Sequence, residues 1–221
     1  MSIPEEYVFT EDWFSCHITW WNAILGALKP RNILEIGSFE GRATCHLIEF
    51  SKEYATEELP VHIHCIDTWE GGVEHSGLNF GEIEKRFDDN CCIATSKNKF
   101  ATVTICKGTS YDELLRMGIK YKSHFDLIYV DGSHDASDVF FDAAMTFRLL
   151  RVDGVLIFDD VHDEGPETAY KFPKVAINGF YQSHRHKIKP LTFDVVDEKT
   201  GSITIMNTTE MYQLYLTKTS E

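Results

Sequence analysis

Ile33-Leu34-Glu35-Ile36-Gly37-Ser38-Phe39-Glu40-Gly41 decides how this chain is read, because an apolar run carrying one carboxylate passes straight into a Gly-x-x-x-Gly turn. The run is short and β-rich, as a buried parallel strand is, and the glycines let the backbone turn sharply and approach a ligand without a Cβ in the way. It reads as a strand, a ligand loop and the start of a helix. A dinucleotide-binding turn shows G-x-G-x-x-G. The middle glycine is missing here, which argues against a pyrophosphate cradle. Glu35, just ahead of the turn, repels phosphate and suits a cationic group such as an ammonium or a sulfonium.

Outward from that stretch, apolar runs recur at 32–36, 61–66, 102–106, 125–130 and 155–158, separated by segments with helical periodicity or helix-start residues. Alternating strands and helices predict a mostly parallel sheet covered on both faces. The clearest helix follows Asp131: Val139, Ala143, Phe147 and Leu150 fall at helical spacing, with Ser133 or Asp135 available as cap. Residues 191–196 and 202–206 flank Asp197-Glu198-Lys199-Thr200-Gly201 and predict an antiparallel hairpin closing the sheet. Ahead of the first strand, residues 11–29 hold Trp13, Phe14, Ile18, Trp20, Trp21, Ile24, Leu25 and Leu28, which predict a helix packed on the sheet. The expectation is an α/β fold, a Rossmann-like, doubly wound, mostly parallel sheet with a C-terminal antiparallel hairpin. It is read as one domain over 1–221, with a helical cap at 1–30, the core at 31–207 and a C-terminal tail at 208–221.

At 221 residues the chain is long enough to bury a single core without staples. Its 35 acidic against 21 basic residues give a formal charge of -14, which disfavours nucleic acid and anionic membranes as partners. Met1-Ser2-Ile3-Pro4-Glu5-Glu6 has neither a basic nor an apolar leader character, and no apolar stretch of about 20 residues follows. A cytoplasmic protein is expected. Cys16, Cys45, Cys65, Cys91, Cys92 and Cys106 have no C-x-x-C spacing, and Cys65 and Cys106 fall in expected core strands, so reduced thiols are expected rather than disulfides or zinc.

In open α/β sheets ligands bind beyond the carboxyl ends of the strands. Each expected strand ends in polar groups: Glu35 with the glycine turn, Asp67-Thr68-Trp69, Gly108-Thr109-Ser110, Asp131-Gly132-Ser133-His134, and Asp159-Asp160. Asp67 either caps a loop or accepts both hydroxyls of a ribose. Ser110 either caps the following helix or touches an adenine. Three acids at one sheet edge repel one another, and a divalent cation with oxygen preference relieves that cost. His134 is the nearest base to them.

With these residues in place, the chain from about 30 to 207 resembles the class I S-adenosylmethionine-dependent methyltransferases. More narrowly it is similar to the metal-dependent small-molecule O-methyltransferases of the catechol and macrocin type. The resemblance rests on LEIGSFEG at 34–41, IDTWEGG at 66–72, KGTS at 107–110, DLIYVDGSH at 126–134 and LLRVDGVLIFDD at 149–160. It implies that Glu35, Gly37, Ser38, Phe39 and Gly41 hold the methionine portion of S-adenosylmethionine. Asp67 would grip the ribose, with Thr68 and Trp69 beside it, and Thr109 and Ser110 would meet the adenine. Asp131, which also borders the cofactor, would join Asp159 and Asp160 as a ligand of Mg²⁺ or another hard divalent cation, with His134 as the base. Asp153 stands where relatives carry a glycine.

The implied activity is methylation of a hydroxyl on a small molecule, sugar-like or natural-product-like. The segments that cover the acceptor in relatives, the N-terminal region and Glu70-Gly71-Gly72 with Glu74 and His75, leave the acceptor unnamed. No Asn-Pro-Pro-aromatic motif of nucleic-acid methylation occurs. Two alternatives stay open: a non-catalytic cofactor-binding or partner-binding module on the same fold, and a nicotinamide oxidoreductase, which the glycine pattern disfavours. The oligomeric state is not fixed by the sequence, a homodimer being one option.

Overall fold

Strand β1, Asn32–Ile36, has Ile33, Leu34 and Ile36 at 0–2% exposure, so consecutive side chains pointing to opposite faces are all covered. That is the burial of a central parallel strand with layers on both sides. The structure, a computed structural model, describes residues 6–72, 77–162, 172–196, 203–207 and 211–221. The chain divides into two compact units, Met1–Arg116 and Met117–Glu221.

In the first unit β1 pairs in parallel with β2, Val61–Asp67, and β2 with β3, Ala101–Lys107. Helix α1 is Ile18–Leu28, α2 Arg42–Ser51, α3 Phe80–Lys97, and α4 Ser110–Lys120. The helix expected over 11–29 is shorter than its apolar run. It opens with a 3-10 turn at Ser15–His17 and stops where Lys29 turns left-handed at φ 48 and Pro30 prevents continuation. Trp21, Ile24 and Leu25 are buried, whereas Trp13 is 55% exposed. Gly41 caps α2 at φ 81, and a Cβ there would come within 3.0 Å of the Phe87 ring, so conformation and space both require glycine.

The second unit carries β4 Phe125–Val130, α5 Ala136–Leu149, β5 Leu150–Phe158, α6 Pro173–His184, β6 Ile188–Pro190, β7 Thr192–Val196, β8 Ile203–Asn207 and β9 Leu214–Lys218. Asp135 caps α5, accepting from Ser137 N at 2.8 Å. β4 and β5 are parallel, with a register shift near the start of β4. Asp153 therefore lies inside a longer strand rather than in a turn before it. Its left-handed φ of 62 marks the irregularity, and Gly154 is packed against Arg151 O and Asp126 O too closely for a side chain.

Of the seven strands of the main sheet, those of the first unit run in the order β3-β2-β1 and those of the second in the order β4-β5-β9-β6, parallel except for β9, which is antiparallel to both β5 and β6. The fold is thus the expected Rossmann-like one. The hairpin is present as β7 paired with β8, Thr192 opposite Asn207, but it stands as a separate two-stranded sheet; its turn lies outside the described residues. The strands that extend the main sheet are β6 and β9. Residues read from sequence as a tail contain β9, whose Leu214, Tyr215 and Leu216 are at most 4% exposed. All six cysteines are free. Among the described residues no helix is long and apolar enough to cross a membrane.

Candidate functional site

The first unit gathers the loop residues at the ends of β1 and β2. Glu35 is 1% exposed; its Oε2 accepts from Ser38 Oγ at 2.6 Å and from Thr44 Oγ1, while Oε1 is buried without a hydrogen-bond partner among the described residues. Burial, and secondarily the Asp67 charge, push its carboxyl above the ordinary range, against the pull of the two hydroxyls. A buried acid with an open oxygen is a receptor for a cationic or hydrogen-bonding ligand.

Asp67 holds two loops at once. Its Oδ2 accepts from Ser38 N at 2.9 Å and Phe39 N at 2.8 Å, and its Oδ1 from Trp69 N at 2.7 Å. A carboxylate has about four acceptor positions. Three are used here, so the loop-capping role is real and Oδ1 keeps capacity for one ligand hydroxyl. The Trp69 indole donates to Phe39 O at 2.9 Å, and both residues sit at positive φ, 49 and 48, in a conformation that only a well-determined site sustains. Gly37 N reaches Ile66 O and Gly108 N reaches Asp67 O, each at 2.9 Å. Thr68 Oγ1 accepts from Glu70 N at 3.1 Å, a local turn. At the third strand end, the cap of α4 is Thr109, whose hydroxyl accepts from Asp112 N at 3.1 Å; Ser110, weighed as the cap from sequence, is the first helical residue. Glu74 and His75 lie outside the described residues.

In the second unit the acids do not group as expected. Asp131, His134 and Asp160 come together, with one ligand atom of each within 4.8 Å of the others. His134 Nε2 lies 2.9 Å from Asp160 Oδ2. Asp159 is not part of this group: its Oδ2 meets Tyr129 Oη at 2.5 Å and Gln213 Nε2 at 3.0 Å, and its Oδ1 accepts from Asp160 N at 2.9 Å. Burial and the neighbouring Asp160 charge push the Asp159 carboxyl above its ordinary range, while those hydrogen bonds act the other way. Tyr129 Oη is also 2.8 Å from Asp131 Oδ2, so one phenol proton stands between two carboxylates. Gln213 is oriented by Tyr215 Oη, which donates to Gln213 Oε1 at 2.6 Å.

Tyr129, Gln213 and Tyr215 had no sequence signal as site residues. Tyr129 reads as one more apolar strand position, and Gln213 is some fifty residues from the acid it holds. Two carboxylates and an imidazole with converging ligand atoms are a donor set that fits a divalent cation.

A profile described as a methyltransferase domain matches residues 34–161. None of the curated proteins matches the chain. Among solved structures, the fold is similar to an O-methyltransferase from Bacillus cereus in complex with SAH, with 19% identity, a TM-score of 0.62, and coverage of 95% of this chain and 84% of that one. It is similar also to the O-methyltransferase TomG from Streptomyces achromogenes, involved in tomaymycin synthesis and solved with SAM, with 14% identity, a TM-score of 0.61, and coverage of 98% and 83%. The profile match covers more than half of the sequence and includes Glu35, Asp67, Asp131 and His134. The chain belongs to the methyltransferase-domain family.

Proposed function

We propose that this protein is an S-adenosylmethionine-dependent O-methyltransferase that uses a divalent cation, Mg²⁺ or a similar ion, and acts on a small hydroxylated molecule. The observation that carries the reading is the convergence of Asp131, His134 and Asp160 beyond the ends of β4 and β5. The structures of similar fold solved with SAH and SAM support it.

In this reading the first unit supplies the cofactor half. The open Oε1 of Glu35 receives the cationic methionine end, and Asp67 Oδ1 accepts a ribose hydroxyl while its other contacts keep the Gly37–Gly41 turn in shape. Thr109 and Ser110 border the adenine. The bound cofactor supplies the methyl group. In the second unit Asp131 and Asp160 hold the cation, which when bound supplies positive charge that lowers the pKa of an acceptor hydroxyl. Nε2 of His134 donates to Asp160 Oδ2, which orients the ring, and its other ring nitrogen takes the proton from that hydroxyl.

A second reading has His134 as the third ligand, favoured by its membership in the same 4.8 Å group. A panel of sugars, catechols and polyketide-like alcohols, scored by S-adenosylhomocysteine release with and without exhaustive chelation, tests the proposal. Turnover of at least one alcohol that chelation abolishes is expected. Absence of turnover despite tight cofactor binding points instead to a binding module, and turnover indifferent to chelation removes the cation from the reading.

A further inference from the structure

Glu40 lies inside the glycine turn, yet its side chain is 1% exposed and its carboxylate bonds to neither Glu35 nor Asp67. Oε2 accepts from Thr10 N at 2.6 Å, and Oε1 accepts from Thr10 Oγ1 at 2.7 Å and from Arg86 Nε at 2.5 Å. The Glu40 carbonyl accepts from Asn90 Nδ2 at 2.9 Å, and the Asn90 amide also pairs with both Val8 N and Val8 O at 2.9 Å. Both ends of Glu40 are thus tied to residues 8–10 and to α3. The neighbouring Phe39 is held at φ 48, a conformation that costs on the order of 1–3 kcal/mol and persists only when its surroundings impose it.

We infer that Glu40 and Arg86 are positioning residues for the cofactor loop: their ion pair ties the turn to α3, and the Thr10 bonds to the same carboxylate fasten the segment 8–10 to it, so that Ser38 N and Phe39 N stay aimed at Asp67. This rests on the proposed cofactor role of that turn. The two side chains bond to Thr10, to Glu82 and to each other rather than to Glu35 or Asp67, so their effect passes through the loop backbone. A buried carboxylate with three donors has no neutral substitute, because a glutamine would turn its own N–H₂ toward one of those donors.

The test is Glu40→Gln in the full chain, read by amide exchange and by calorimetry with S-adenosylmethionine. In the ligand-free protein the Ser38 and Phe39 amides are expected to exchange faster relative to those of β2. Cofactor affinity is expected to fall about tenfold while Mn²⁺ affinity in the second unit is unchanged. In turnover the KM for the cofactor rises and kcat holds. Should Glu40→Gln not fold, Thr10→Ala, which deletes one of the three donors, gives a smaller change of the same sign in both readouts. A folded variant with wild-type loop exchange and wild-type affinity overturns the inference. If the unaltered protein binds no S-adenosylmethionine, the proposed function fails, and the exchange ratio alone decides whether Glu40 positions the loop.

Discussion

His134 Nε2 lies 2.9 Å from Asp160 Oδ2, and Asp160 reaches that position with a left-handed backbone at φ 55. Both side chains are about one-third exposed, so the pair itself adds little to stability. Asp160→Gly relieves the backbone and deletes the carboxylate together. The expected result is a Tm no lower than that of the unaltered protein and at least about tenfold weaker Mn²⁺ binding. A large drop in Tm with ion binding intact would show that Asp160 serves the fold.

His134→Ala separates base from ligand. As a base, His134 contributes about 10² to 10⁴ in rate, and its loss leaves Mn²⁺ affinity near the starting value. As a ligand, its loss weakens both. Isothermal titration with Mn²⁺ beside single-turnover rates distinguishes the two. A variant with unchanged rate and unchanged affinity reduces His134 to a loop residue.

Asp67 caps two loops with three backbone N–H groups. Asp67→Ala leaves those donors unpaired at a cost of about 1–3 kcal/mol in stability, in addition to lost cofactor affinity. Asp67→Asn keeps one acceptor oxygen and is expected to lose less of both. Equal Tm and equal cofactor affinity across all three proteins would contradict the capping geometry.

Gln213 holds Asp159 by a 3.0 Å bond from β9's leading edge. Gln213→Met keeps the length of the side chain without its amide and leaves Asp159 Oδ2 with Tyr129 alone. Asp159 then loses one of the bonds that fix it beside Asp131, and Mn²⁺ affinity is expected to change by at least severalfold in a protein that remains folded. Identical ion affinity in the variant would mean that Tyr129 suffices to hold Asp159.

His46 is 2% exposed, and its Nε2 has no hydrogen-bond partner among the described residues. Burial lowers its pKa from 6.5 to about 4. The unfolded chain therefore binds a proton that the folded chain refuses, and stability falls as pH drops from 6.5 towards 4. The loss reaches on the order of 3 kcal/mol. His46→Phe, set between Phe14 and Phe50, is expected to show a flatter Tm profile over that window. A profile as steep as the original would assign the acid sensitivity elsewhere.

Local pattern carried the parallel strands well: β1 and β4 have the boundaries expected from their apolar runs, and β2 and β3 each extend the expected run by one or two residues. It failed at β9, because Leu214–Lys218 has no flanking glycine and its two partners, β5 and β6, are far away in sequence. At the site, strand-end position was enough to pick out Glu35, Asp67, Asp131 and Asp160. Orientation was not, since Asp159 and Asp160 are adjacent in sequence and face different partners. Long-range bonds to Tyr129 and Gln213 hold Asp159, while Asp160 pairs with His134. Glu40 was passed over because an acid in a turn looks solvated until Thr10 and Arg86 are seen to cover it.

The place of β9 between β5 and β6 bears on how the protein is made. A ribosome delivers residues in order at about 5–20 per second, so β4, α5, β5 and β6 all emerge before the strand that joins β5 to β6. Over that interval β5 presents an unpaired edge, and Asp159 lacks its contact with Gln213. The second unit's sheet, and the orientation of its acid pair, are therefore settled late in synthesis. A released chain lacking Leu214–Lys218 would expose β5 to chaperones and to pairing with other chains, whereas one carrying that strand would not.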